Sequence, residues 1–290
     1  MHAILIVAGR VLASPLVNVF QKKLTNKELS PEFIVMMSYL FFVLLSIPIL
    51  IIKQPFYFPT EFWIYIVLLG VFDIFGNMFL VKSLKTIDLS VFGPLNSFKP
   101  VFALIFSAFL LNETPSLAGA VGVLIIVFGS YFLGYAPKKL RLAKSKFKIS
   151  RGLAFRMLAI LLTSIAAVFS KKTILLSSPL ITFVYWSVIG LPISVFIFLR
   201  SGPGAGAEFK LALAHTWKFL GLFGVFLLLQ IFTLLAFERI FVGYSLALFQ
   251  LSGLISVLFG LHFFKEKNVR YRLIGATIMC GGAMLIALFG

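Results

Sequence analysis

Long apolar runs separated by short polar breaks dominate the chain. Crossing the roughly 30 Å hydrocarbon core of a bilayer takes about 20 apolar residues. Such runs fall near 3–20, 32–52, 62–82, 89–111, 117–135, 152–170, 180–199, 216–237, 243–264 and 271–289. They are too long for strands and lack period-two alternation, so they predict ten membrane-spanning helices rather than a barrel. One break stands apart, the basic segment APKKLRLAKSKFKIS before the sixth run. The SGPGAG segment after Arg200 reads as a flexible loop.

The pattern repeats. LLNETPSLAGAVGVLIIVFG (110–129) matches FFKEKNVRYRLIGATIMCGG (263–282) at a constant offset of 153, placing Glu113 on Glu266, Gly122 on Gly275 and Gly129 on Gly282. The same offset places Lys99 on Ser252. NVFQKKL (18–24) resembles AVFSKKT (167–173), and Ser30-Pro31 resembles Ser178-Pro179. The expected organisation is one membrane domain: a first five-helix repeat (1–136), a basic linker (137–150) and a second five-helix repeat (151–290). Five spans per half is odd, so the halves insert with opposite orientations. Inverted repeats of this kind recur among secondary transporters.

Composition agrees with a lipid solvent. Hydrophobic residues make up 61% of the 290 and charged residues 12%, against about 25% charged in soluble domains; mean hydropathy is +1.08. The formal net charge of +17 would suggest nucleic acid on a soluble protein, but here the bases gather in short loops. That distribution reads as topogenic charge facing an anionic leaflet, with no nucleic-acid partner. The end of the bundle that carries the termini has about four loop bases, including Lys53, and the linker end roughly twenty. This bias puts the linker in the cytoplasm and both termini in the periplasm of an inner-membrane protein. The first span carries Arg10 and lacks a basic n-region and a small-residue cleavage pattern, so it reads as a span rather than a signal peptide. The single Cys280 leaves no disulfide framework and no paired-cysteine metal site.

The stretch TIDLSVFGPLNSFKPVFALIFSAFLLNETPSLAGAVGVLIIVFGSYFL resembles the fourth and fifth helices of EamA-like members of the drug/metabolite transporter superfamily. An apolar helix ending in Leu-x-Glu before a Gly-spaced helix carries the likeness, and residues 265–282 repeat it more loosely. The resemblance implies ten helices, a central cavity between the halves and alternating access; substrates of the group include amino acids, metabolites, nucleotide-linked compounds and drugs. Relatives usually keep both termini in the cytoplasm, with basic residues at the N-terminus and after the second helix. The sequence departs from that pattern, and the counted charge bias favours the opposite orientation.

Ionisable residues deep in spans are functional candidates, because a charge at the bilayer centre costs at least about 2.5–3.5 kcal/mol. Lys99 lies just before Pro100, which removes a backbone donor, and shares a helix face with Asn96. It is expected to bind an anionic substrate group; the plainer alternative is a structural pairing. Arg10, Ser14, Asn18 and Gln21 form a polar stripe along the first span, and an arginine there suits a carboxylate or phosphate. Asp73, with Asn77 one turn later, reads as a proton-coupling carboxylate or as an ion-pair partner of Arg10 or Lys99. In the second half, Tyr185, Gln250 and Ser252 are substrate-binding candidates, with Thr163, Ser164, Trp186, Gln230 and Tyr244 as weaker ones. Arg156 is close enough to a span end to snorkel. Glu113 and Glu266 read as structural caps on the helices that follow them.

These residues predict a secondary transporter of a small anionic or zwitterionic metabolite, with no cofactor and no metal, acting as a monomer or homodimer. A membrane-embedded lipid enzyme would need converging acids, bases or metal ligands. His2, His215 and His262 are scattered, and nine acids supply little such chemistry. A non-transporting assembly or sensor protein would be expected to carry an appended soluble domain. No GxxxxGK[ST] loop is visible for direct ATP drive.

Overall fold

The computed structural model describes residues 2–26, 29–53, 57–86, 95–133, 151–201, 205–255 and 269–290. The linker 137–150, Glu266 and residues 256–264 of the ninth predicted span lie outside them. The described residues form eleven helices: α1 (His2–Thr25), α2 (Pro31–Lys53), α3 (Thr60–Thr86), α4 (Phe98–Leu111), α5 (Leu117–Leu133), α6 (Arg151–Leu176), α7 (Pro179–Ser201), α8 (Ala205–Ala214), α9 (Thr216–Arg239), α10 (Val242–Phe249) and α11 (Val269–Phe289). Six of these carry stretches long and apolar enough to cross a membrane, and four more are shorter apolar helices. Together they account for the ten predicted spans, and the chain is a multi-pass membrane protein. The expected loop after Arg200 instead leads into an extra short helix, α8.

The halves pack by exchange. Helix α1 lies against α9 and α3 against α6, while α2 meets α7, α4 meets α10 and α5 meets α11. Swapping α1–α5 for α6, α7, α9, α10 and α11 maps this set of neighbours onto itself, as two inverted repeats require. Each helix satisfies its own backbone hydrogen bonds, which frees its side chains for packing. The main core joins α2, α7 and α9 through rings: Phe42 meets Phe183, Trp186 and Phe226 at centroid distances of 5.6, 5.6 and 5.2 Å. Large apolar side chains such as Phe109 and Leu117 are more than 80% exposed, which suits a surface whose solvent is lipid.

Small residues set the α5–α11 contact. A Cβ on Gly122 would lie 2.9 Å from the Gly282 carbonyl oxygen, and one on Gly129 would lie 2.9 Å from that of Gly275. The seven-residue glycine spacing therefore brings two backbones together within one chain, the close approach that small residues permit in membranes.

Two polar ties hold the ends of the bundle. Asn112 takes a left-handed conformation (φ 54°) that stops α4, a place where asparagine substitutes for glycine. The stop turns Glu113 inward. Its Oε1 lies 2.9 Å from Lys171 Nζ, and its Oε2 accepts the backbone N–H of Val242 at 3.0 Å. Glu113 thus caps a helix, but α10 of the opposite half rather than the α5 that follows it. Lys171 also donates to the carbonyl of Ile240, the residue capping α9, at 2.9 Å. At the other end, Glu208 of α8 is 3% exposed and accepts the Ser30 backbone N–H ahead of α2.

Candidate functional site

A cavity of about 180 Å³ lies between the two halves. Its wall begins with the α1 stripe: Arg10, Ser14, Asn18 and Gln21 recur at spacings of four, four and three and so share one face. Helix α3 adds Asp73 and Asn77, Asn96 comes from just before α4 and Lys99 from its first turn. The second half contributes Arg156 and Thr163 from α6, Trp186 from α7, Gln230 and Thr233 from α9, and Gln250 and Ser252 from α10 and its continuation. Residues from both repeats thus meet around one polar space inside an apolar bundle.

The basic groups are held differently. Arg10 donates through Nε to Thr233 Oγ1 at 2.7 Å and stacks over the Phe249 ring at 4.7 Å, while its buried Nη1 has no hydrogen-bond partner. The Lys99 ammonium makes no hydrogen bond or ion pair among the described residues, although Arg10, Asp73 and Arg156 act on it electrostatically. Ser164 donates to the Lys99 carbonyl at 3.2 Å, fixing the backbone beside Pro100. Arg156 donates through Nη2 to Asn96 Oδ1 and is 2% exposed. It does not snorkel to a membrane face; it turns inward and joins α6 to the start of α4.

Asp73 is in no ion pair among the described residues. Its Oδ2 accepts three hydrogen bonds, from Tyr39 Oη at 2.8 Å, Trp186 Nε1 at 2.9 Å and Asn77 Nδ2 at 2.9 Å. Its Oδ1 accepts none. The carboxylate is therefore oriented by neutral donors on α2, α3 and α7, not by the direct contact with Arg10 or Lys99 that the sequence allows.

Of the residues singled out in the sequence, the cavity brings together Lys99, Arg10, Asn96, Ser14, Asn18, Asn77, Asp73, Gln250 and Ser252. Tyr185 is a correction. It is buried away from the cavity against Phe58, Phe62 and Trp63, with ring centroids 5.0–6.1 Å apart. Its neighbour Trp186 lines the cavity instead. Consecutive helical residues point about 100° apart, and the rotation of α7 turns Trp186 rather than Tyr185 toward the cavity. Tyr39, Thr233 and Arg156 are site residues that sequence reasoning did not assign. The first two lie within long apolar runs, and no spacing marks them out.

The model of the EamA-like transporter family matches residues 1–135. No curated protein matches the chain. A solved crystal structure is similar over 97% of this chain and 99% of its own, with a TM-score of 0.65 and 16% sequence identity; that likeness shows the shared fold alone. The first repeat is thus similar to the EamA-like transporter family, and the chain as a whole has an all-helical, multi-span architecture.

Proposed function

We propose that the protein is a secondary transporter that moves a small anionic or zwitterionic metabolite across the inner membrane by alternating access. One observation carries the reading: Arg10 and Lys99 line a cavity between the repeats, and neither has a carboxylate within ion-pair distance among the described residues. Buried cations without counter-charges are costly in a bilayer, and a bound anion would relieve that cost. The surrounding amides and hydroxyls can exchange hydrogen bonds with a polar solute as it replaces water.

The halves supply the moving parts. A substrate shifts the protein between two access states only through a difference in affinity for them, and a site built from both repeats changes shape whenever they rock. The Glu113–Lys171 pair, with its bonds to α9 and α10, ties the halves at the end where α4, α6 and α9 finish. Opening the cavity toward that end requires those bonds to separate. The charge bias of the loops supports a cytoplasmic linker and periplasmic termini.

The test is counterflow in proteoliposomes across a panel of organic acids and amino acids. Lys99→Ala is expected to lower flux at least about tenfold while the protein still inserts and elutes as a single species. Unchanged flux and unchanged substrate affinity in that variant would remove Lys99 from the site.

A further inference from the structure

Resting on the reading of the cavity as a substrate site, we infer that its ligand is a compact dicarboxylate carrying a hydrogen-bond donor, a hydroxyl or an ammonium, beside its carboxylates. Three features of the wall lead there. The first is a pair of cationic heads on different elements. Arg10 is steered by Thr233 and Phe249, and its Nη1 is left without a partner. The Lys99 ammonium, on α4, makes no hydrogen bond among the described residues. Two carboxylates on one small molecule give each head its own anion, with bidentate geometry available at the arginine.

The second feature is Asp73. Its Oδ2 is saturated by Tyr39, Trp186 and Asn77, so the carboxylate cannot rotate away without breaking three bonds. Its Oδ1 takes no hydrogen bond, and Asp73 belongs to the cavity wall. A ligand with nothing but carboxylates would set lone pairs against this fixed acceptor. A ligand with a hydroxyl or ammonium gives Oδ1 the bond it lacks. A site built to pair with a donor rejects the analogue without one, because its own polar group is then left unsatisfied.

The third feature is size. About 180 Å³ equals the liquid volume of about six waters and falls below the roughly 300–1,000 Å³ typical of pockets for drug-sized ligands. A four- or five-carbon acid suits that space. Arg10, Lys99, Arg156 and Asp73, all in the cavity wall, together leave two net positive charges. A hydroxy-dicarboxylate would cancel them and an amino-dicarboxylate would leave one, so comparing the two identifies the donor.

The experiment is calorimetric titration of the full chain in nanodiscs with malate, aspartate, succinate, propionate and alanine. Malate or aspartate is expected to bind at least about tenfold more tightly than succinate, with propionate and alanine weaker still. Asp73→Asn is the informative variant: its amide oxygen can keep all three donors while its amide nitrogen presents a donor to the cavity. In that variant succinate should equal or exceed the donor-bearing acids. Should Asp73→Asn not fold, the wild-type ranking alone decides. Succinate binding as well as malate and aspartate, alanine or propionate binding best, or no binding by any of the five would each overturn the inference. Flux of some other solute in the counterflow assay would meanwhile leave the transporter reading standing, whereas loss of all flux would count against that reading instead.

Discussion

Three basic side chains meet in one cavity, and each depends on different neighbours. The α1 stripe is legible in sequence because four polar residues at helical spacing in an apolar span must face away from lipid. Lys99 is legible for the same reason. Arg156 is not: a cation two turns or less from a span end can extend to the interface or turn inward, and spacing does not distinguish the two. The structure places it inward, 2% exposed and bonded to Asn96. Arg156→Ala is therefore expected to cost about 1.5–3 kcal/mol, the loss of a charged hydrogen bond to the half-buried Asn96 amide oxygen. A thermal-unfolding midpoint in detergent checks this; a midpoint equal to wild type would fit a snorkelling arginine better. Tyr185 and Trp186 teach a related lesson, since both are amphipathic aromatics and only the rotation of α7 decides which one meets Asp73.

Helix boundaries follow closely from eight of the ten apolar runs, because lipid forbids unpaired backbone groups; α4 and α10 cover only part of theirs, with turns at Ser97 and at Gln250 and Leu251. The short α8 was not legible. AGAEFKLALA is brief, follows a glycine-rich segment and resembles a loop; a tertiary contact holds it, through Glu208 at the start of α2 and a Phe33–Phe209 edge contact at 5.1 Å. The Leu111-Asn112-Glu113 turn shows how a local stop can serve a distant element. Asn112 ends α4, which delivers Glu113 to Lys171 and to the first N–H of α10. Both partners are 7% exposed, so breaking the pair from one side strands a charge. Glu113→Gln and Lys171→Met are each expected to destabilise by about 3–5 kcal/mol, the range for uncoupling a buried pair. The double variant should lose less than the sum of the two. Additive losses in that thermal-melt cycle would show that the pair does not act as a unit.

At the scale of the whole molecule, the exchange-symmetric packing of the halves creates one cavity from two imperfect copies. Its asymmetry is chemical: Lys99 corresponds to Ser252 in the repeat, and both reach the same space. Orientation in the membrane belongs to this scale too, because it is set by the summed charge of all loops rather than by any one residue. Cysteines placed singly at positions 138–148 in a Cys280→Ser background should react with a membrane-impermeant maleimide only after the cells are opened. Labelling in intact spheroplasts would reverse the proposed topology. By itself, the sequence determined the solvent, the number and limits of the spans, the inverted repeat and most of the polar residues that avoid lipid, since each follows from transfer energies and periodicity along one chain. Only the tertiary structure decided which of those residues share a cavity, that Asp73 is held by neutral donors rather than by a cation, that Arg156 faces inward and Tyr185 does not, and that Glu113 caps the opposite half. Those outcomes depend on helix rotation and on contacts between residues up to 223 positions apart, where no local energy term reaches.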